Sequence, residues 1–252
     1  VGPELINQLE NSRVAPNGRN VPHAETTTSS GPTYKDADDD RLPDRFERNN
    51  RTNDGVSLPG ADPMHKDLYL RVYVAKGIEL LSEKELASLK QIWTSMPISN
   101  PNNRSGIDLH VTQIRLDRRI ERNISDISLP NGFYDNNVPE RAQCIVHAVV
   151  FIDVSETRRG DGLASTPGYL AMVDGTNPGS ENVKYTRRVG VMTHELLHNV
   201  VGHFEDGSAH VSGGWLKAET SVGSDYYMND RTASHLSEDG FDDSKYYQKA
   251  IC

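Results

Sequence analysis

Two histidines four positions apart, with a glutamate directly after the first, are the residues of this chain best suited to chemistry: His194-Glu195-Leu196-Leu197-His198. On a helix, positions i and i+4 share a face, so His194 and His198 can point two imidazoles at one ion. Neutral imidazole nitrogen suits zinc, and a catalytic zinc keeps one position for water. Glu195 sits one step round the helix, where its carboxylate can reach that water. The chemistry this implies is hydrolysis. The metal acidifies the water, Glu195 takes the proton as general base, and the hydroxide attacks a carbonyl polarised by the metal. Glu195 would then pass the proton to the leaving amine. Met192, Leu196, Leu197, Val200 and Val201 surround the motif and predict a helix buried on most sides. Two histidines and a carboxylate in such a helix need partners, because unpaired polar groups there are costly.

A second constellation lies far upstream. Asp36, Asp38, Asp40, Asp44 and Glu47 stand at positions one, three, five, nine and twelve of a loop, and Leu42 at position seven would offer its backbone carbonyl. Calcium takes about six to eight oxygen ligands, and a loop of this kind supplies them. Arg41 stands where such loops prefer glycine for the sharp turn, and Asp39 also replaces a common glycine. An extracellular setting fits this site better than a cytosol poor in free calcium. Its expected role is to stiffen the join between an N-terminal arm and the body.

The elements that must position these residues are legible in the periodicity. Leu68 to Val74 alternates as a strand. Ser82 is an N-cap with Glu85 three residues on, a capping box, and Leu81 and Leu86 can form the hydrophobic staple. Leu86, Leu89 and Trp93 give that helix its buried stripe. Ile107, Leu109 and Val111 alternate with polar neighbours in a second strand. Cys144 to Val154 reads as a strand buried on both faces, and Tyr169 to Val173 as a short fourth. Arg187 to Val201 reads as a helix ending near Gly202. A last short helix is expected from about Arg231 to Asp239, with Gly240 as its stop. The order is strand, helix, strand, strand, strand, helix, an α+β pattern. Residues 1–35 read as an extended polar arm, 36–60 as the acidic segment and 61–252 as the metal-binding domain.

With 252 residues the chain can bury a sizeable core. Its formal net charge of -9, without a basic stripe, argues against nucleic acid as a partner. The longest apolar run, Ala148 to Ile152, is far too short to span a bilayer. The chain begins with Val1, not Met, which reads as processing or trimming. Cys144 and Cys252 are too few for a disulfide scaffold. A bridge between them and two unpaired thiols are both open.

At the residues quoted, the chain resembles the zincin metallopeptidases. More narrowly it is similar to a group of secreted zinc metallopeptidase-like proteins common in halophilic archaea. The matching stretches are Asp62 to Leu70, Ser105 to His110, Met192 to Gly202, and Gly214-Trp215-Leu216, within roughly residues 36 to 245. The resemblance implies a zincin-like mixed sheet with the active-site helix after its edge strand, a catalytic zinc, a peptide or protein substrate cut at internal bonds, and secretion. Asp40-Arg41-Leu42-Pro43-Asp44 similarly resembles the loops of thrombospondin type 3 and dockerin modules.

The third zinc ligand departs from the metzincin pattern, in which a glycine and a further histidine follow at fixed offsets. Seven after His194 stands Val201, Gly202 is one late, and ten after stands Phe204. Four candidates remain. His210 is preferred, since its setting before Gly214-Trp215-Leu216 resembles that of a histidine in the relatives. His203 follows Gly202 directly, Glu205 lies three after it, and Glu219 lies at a distance similar to the glutamate ligand of gluzincins. Met228 reads either as the methionine beneath a metzincin site or as ordinary core, and Tyr226 or Tyr227 as an oxyanion donor or as structure. His147 sits in an apolar strand, and His23, His65, His110 and His235 have no metal spacing; all five read as structural or surface residues. The rival reading is an inactive structural or binding protein on the same fold, stabilised by zinc and calcium.

Overall fold

The computed structural model describes residues 35–120, 129–143, 145–153, 162–176, 186–218 and 226–242. The expected arm therefore lies outside the described residues except for Lys35, as do Cys144, Cys252 and Glu219. The described elements are α1 (Asp44–Arg48), β1 (Asp67–Val74), α2 (Glu83–Thr94), β2 (Asp108–Arg115), α3 (Leu129–Asn137), a 3-10 turn (Glu140–Ala142), β3 (His147–Ile152), β4 (Gly162–Ala164), β5 (Leu170–Asp174), α4 (Arg187–Val201) and α5 (Asp230–Glu238).

Five strands form one sheet in the order β2-β1-β3-β5-β4. The first four run parallel, with Asp67 opposite Asp108, Leu70 opposite His147 and Ala148 opposite Leu170. β4 alone is antiparallel, pairing Gly162 with Val173 and Ala164 with Ala171 at the sheet edge. This is the mixed α+β sheet expected from the sequence. β3 is buried along its whole length. That is the condition of a central parallel strand covered on both faces, and its Val-Val-Phe-Ile run suits it.

Parallel neighbours need a crossover between them, and α2 supplies it between β1 and β2. Ser82 and Glu85 cap α2 reciprocally, as the capping box predicts. Its exit is tight. Gly106 has φ +94°, and a Cβ there would overlap the carbonyl oxygen of Thr94, so glycine is required.

Glu85 has a second task that the sequence did not disclose. Arg188, in the first turn of α4, donates to Glu85 Oε1 from Nε at 2.7 Å and to Oε2 from Nη2 at 2.6 Å. The remaining guanidinium hydrogens go to the carbonyls of Glu79 at 2.8 Å, Leu80 at 3.0 Å and Gly175 at 3.4 Å. Both side chains are buried. Burial alone would raise the Glu85 carboxyl, but hydrogen bonds from Arg188, the Ser82 backbone and Thr186 bring it down to about 2. This pair fixes the start of α4 against the start of α2.

Besides the 3-10 turn, three elements were not expected. β4 is a three-residue Gly-Leu-Ala strand, too short to alternate. α3 begins Leu-Pro-Asn-Gly, poor helix formers. α1 lies inside the acidic segment. Boundaries also shift: β3 begins at His147, β2 continues to Arg115, and α5 starts at Asp230 behind the cap Asn229, whose side chain accepts from the Arg231 N–H.

Candidate metal centre

α4 carries the motif, and every residue from Arg188 to Val201 is buried. It ends at Gly202, with φ +65°, and the chain then leaves the helix axis. The last-turn carbonyls, which have no partner inside the helix, are taken up from outside. Val200 O accepts from the Asp242 N–H at 2.7 Å and from Arg41 Nη2 at 3.4 Å, and Val201 O lies 3.2 Å from His235 Nε2.

His194 and His198 face one another: their Nε2 atoms are 3.1 Å apart. Two ligands at the zinc–imidazole distance in a tetrahedral sphere would be about 3.3 Å apart, so the pair has the spacing of ligands to one ion. His210 joins them. One ring nitrogen from each of His194, His198 and His210 lies within 4.8 Å of the other two, and the His210 ring centroid is 5.6 Å and 4.6 Å from theirs. His194 Nδ1 is 2.6 Å from the carbonyl oxygen of Trp215. A carbonyl only accepts, so Nδ1 carries the proton and Nε2 keeps its lone pair for a metal. Among the described residues His198 Nδ1 is buried without a hydrogen-bond partner. Burial, followed by the neighbouring imidazoles, holds His198 down to about 2; burial, opposed by the Trp215 carbonyl, holds His194 down to about 4. Both rings are neutral at pH 7, the form that ligates. The donor set of three imidazoles fits zinc.

His210 is brought back by a loop with its own fastenings. Phe204 is buried as an anchor with Arg231 stacked over its ring, and Phe204 N donates to Ser208 O at 2.9 Å. Val211 N donates to Leu216 O at 3.0 Å, and Trp215 N to Tyr227 O at 2.9 Å. His203 and Glu205, by contrast, are exposed and outside the cluster. Met228 is buried, Tyr226 packs on Trp215 with ring centroids 5.1 Å apart, and Tyr227 is 51% exposed.

Glu195 is 7% exposed. Its carboxylate lies against β4, where a Cβ on Gly162 would overlap Oε1. Glycine at that position lets the edge strand approach the carboxylate, a role that leaves no local mark in the sequence. Next along α4, Asn199 Nδ2 donates to Ser165 O at 2.9 Å and Leu170 O at 3.3 Å, and its Oδ1 is 3.3 Å from His147 Nδ1. Burial, then the charge of Arg41, pushes His147 down to about 3. His147 thus acts as a neutral strut between β3 and α4, and the edge strand is tied to the helix beside the histidines.

Two solved structures are similar to part of this chain. Metalloproteinase-II from Bacteroides fragilis matches with a TM-score of 0.47 and 14% identity over 71% of this chain and 55% of that one. Archaemetzincin from Methanopyrus kandleri matches with a TM-score of 0.45 and 15% identity over 68% of this chain and 93% of that one. The chain thus spans about half the length of the Bacteroides protein. No protein-family profile and no curated sequence matches.

The acidic segment forms a second cluster. Carboxylate oxygens of Asp36, Asp38 and Asp40 lie within 4.8 Å of one another, and so do those of Asp40, Glu47 and Asp67. Asp67, at the start of β1, was not among the expected residues. Asp44, which was, falls in neither group: its carboxylate accepts from Ala37 N at 2.8 Å and pairs with Lys35 at 3.0 Å and Arg48 at 2.5 Å.

Proposed function

We propose that this protein is a zinc metalloendopeptidase, with His194, His198 and His210 as the metal ligands and Glu195 as the general base. The observation that carries the reading is the pair of neutral imidazoles on α4 with Nε2 atoms 3.1 Å apart, joined by a third ring and followed by a carboxylate. A zinc ion held there supplies Lewis acidity toward a water and toward the scissile carbonyl.

The chain's own residues do the rest. The Trp215 carbonyl holds His194 in the tautomer that ligates through Nε2. Glu195 takes the proton of the attacking water and returns it to the leaving amine. Among the described residues β4 offers an open edge: Gly162–Ala164 are half-buried and pair with β5 alone. An extended peptide can add to such an edge by backbone hydrogen bonds. That mode of binding lets the substrate run past Glu195 in both directions, as an endopeptidase requires. Among the described residues no helix is long and apolar enough to cross a membrane, and we place the protein outside the cell, where the acidic loop would meet enough calcium.

Glu195→Gln tests the reading. Hydrolysis of an unfolded protein such as casein is expected to fall by at least about 100-fold, with bound zinc unchanged. If the zinc-loaded native protein cleaves no peptide, the site is structural and the proposal is wrong.

A further inference from the structure

We propose that Asp36, Asp38, Asp40, Glu47 and Asp67 form a calcium site, and that the ion there latches the acidic loop to the C-terminal end of the metal-motif helix α4. This inference rests on the fold and not on the hydrolytic reading of the histidine site.

Clustered acids on a surface often bind nothing, but this cluster is interior. Glu47 has no exposed surface and Asp38 is 1% exposed, and among the described residues none of their carboxylate oxygens has a hydrogen-bond partner. A buried carboxylate without a donor is among the costliest arrangements a fold can hold. Glu47 nevertheless points its oxygens at those of Asp40 and Asp67. The nearby cations do not satisfy it. Lys35 and Arg48 are engaged by Asp44, the Lys66 ammonium donates to the backbone carbonyl of Asp38, and His110 pairs with Asp67. Burial first, then the surrounding carboxylates, pushes Asp38 up to about 8 and Glu47 up to about 9.

The side-chain donors are all oxygen, which selects a hard cation and disfavours zinc. They come from a loop, from α1 and from β1, and a cation accepting many ligands in loose geometry suits such a set: calcium before magnesium. The loop is already wound for it. Asp39 and Arg41 have φ +58° and +77°, and Asp36 accepts from their backbone N–H groups at 2.9 and 2.8 Å. Arg41 thus adopts the left-handed turn that glycine usually provides.

What holds Arg41 in that turn is also what reaches the helix. Its Nη2 donates to Val200 O and its guanidinium lies 5.5 Å from the Phe241 ring centroid. Phe241 N donates to Asp39 O at 2.9 Å, and Asp242 N to Val200 O at 2.7 Å. Gly240, at φ +71°, lets the chain pass so close that a Cβ would overlap Asp39 O. The loop, the 240–242 segment and the last turn of α4 are therefore one hydrogen-bonded assembly, two residues from His198.

The test uses the full chain, dialysed free of calcium, with calcium chloride as the probe. Calorimetry is expected to show calcium binding that Glu47→Gln and Asp67→Asn each weaken at least tenfold, and Asp44→Asn less than threefold. Calcium is expected to slow hydrogen exchange at the amides of residues 199–202 at least fivefold, and Arg41→Ala to abolish that slowing while keeping calcium affinity within threefold. Absence of calcium binding, or equal damage from Asp44→Asn and Asp67→Asn, overturns the site. Unchanged exchange overturns the latch. Should the acid variants fail to fold, the calcium content and exchange of the native chain decide. None of these readouts involves hydrolysis, so a failure here is separable from a failure of the peptidase reading.

Discussion

Replacing Glu85 by glutamine should cost this protein roughly 3 kcal/mol of stability at neutral pH, and the loss should fade in acid. The carboxyl is held at about 2 against an ordinary 4.5, and each pH unit of displacement is worth about 1.4 kcal/mol. The exposure of both partners is low enough for that figure to stand without a large discount for solvent screening. It agrees with the loss of about 3–5 kcal/mol expected when one partner of a buried pair is removed. The sign follows from linkage. A lowered carboxyl stabilises the fold fully above pH 4.5, and that stabilisation disappears as pH falls from there through about 2. Urea unfolding, followed by the fluorescence of the buried Trp93 and Trp215, should give a native-to-variant difference that is constant from pH 8 to 5 and narrows below 4.5. A loss under about 1 kcal/mol at pH 7, or a difference that widens on acidification, would show that Arg188 does not rely on Glu85.

Three further outcomes are expected. His210→Ala should lower zinc affinity by at least about 100-fold while His203→Ala changes it less than about threefold, measured by competition with a chromogenic chelator; equal losses would remove His210 from the ligand set. Gly162→Ala should reduce peptide hydrolysis about tenfold or more with zinc stoichiometry intact, because the added methyl displaces the Glu195 carboxylate; full activity would mean that the edge strand need not approach so closely. Gly106→Ala should destabilise the fold by about 2 kcal/mol or more in urea unfolding, since it combines φ +94° with an overlap on Thr94 O.

Local patterns were legible wherever one short segment carried them. The capping box at Ser82 and Glu85, the alternation of β1 and the apolar run of β3 needed only their neighbours in sequence. The i, i+4 pair of α4 was equally plain. Contacts between distant segments were not. Nothing in Asp67 marks it as facing Glu47, which lies twenty positions earlier with a turn at Gly60 between them, and nothing at Arg188 points to Glu85 more than a hundred positions earlier. Asp44 occupied a plausible loop position, yet Lys35 and Arg48 reach it first. β4 escaped because three residues cannot show a period, and its place is set by pairing with β5 and by Asn199.

The burial of α4 has a consequence for anyone wishing to redesign the histidine site. With fourteen consecutive residues packed inside, the helix offers no tolerant positions, and a library built on it would return mostly misfolded clones. Variation belongs instead on the rim, at the half-buried Leu163 and Ala164 and the exposed His203 and Glu205, where side chains can change while the helix and sheet beneath stay as they are.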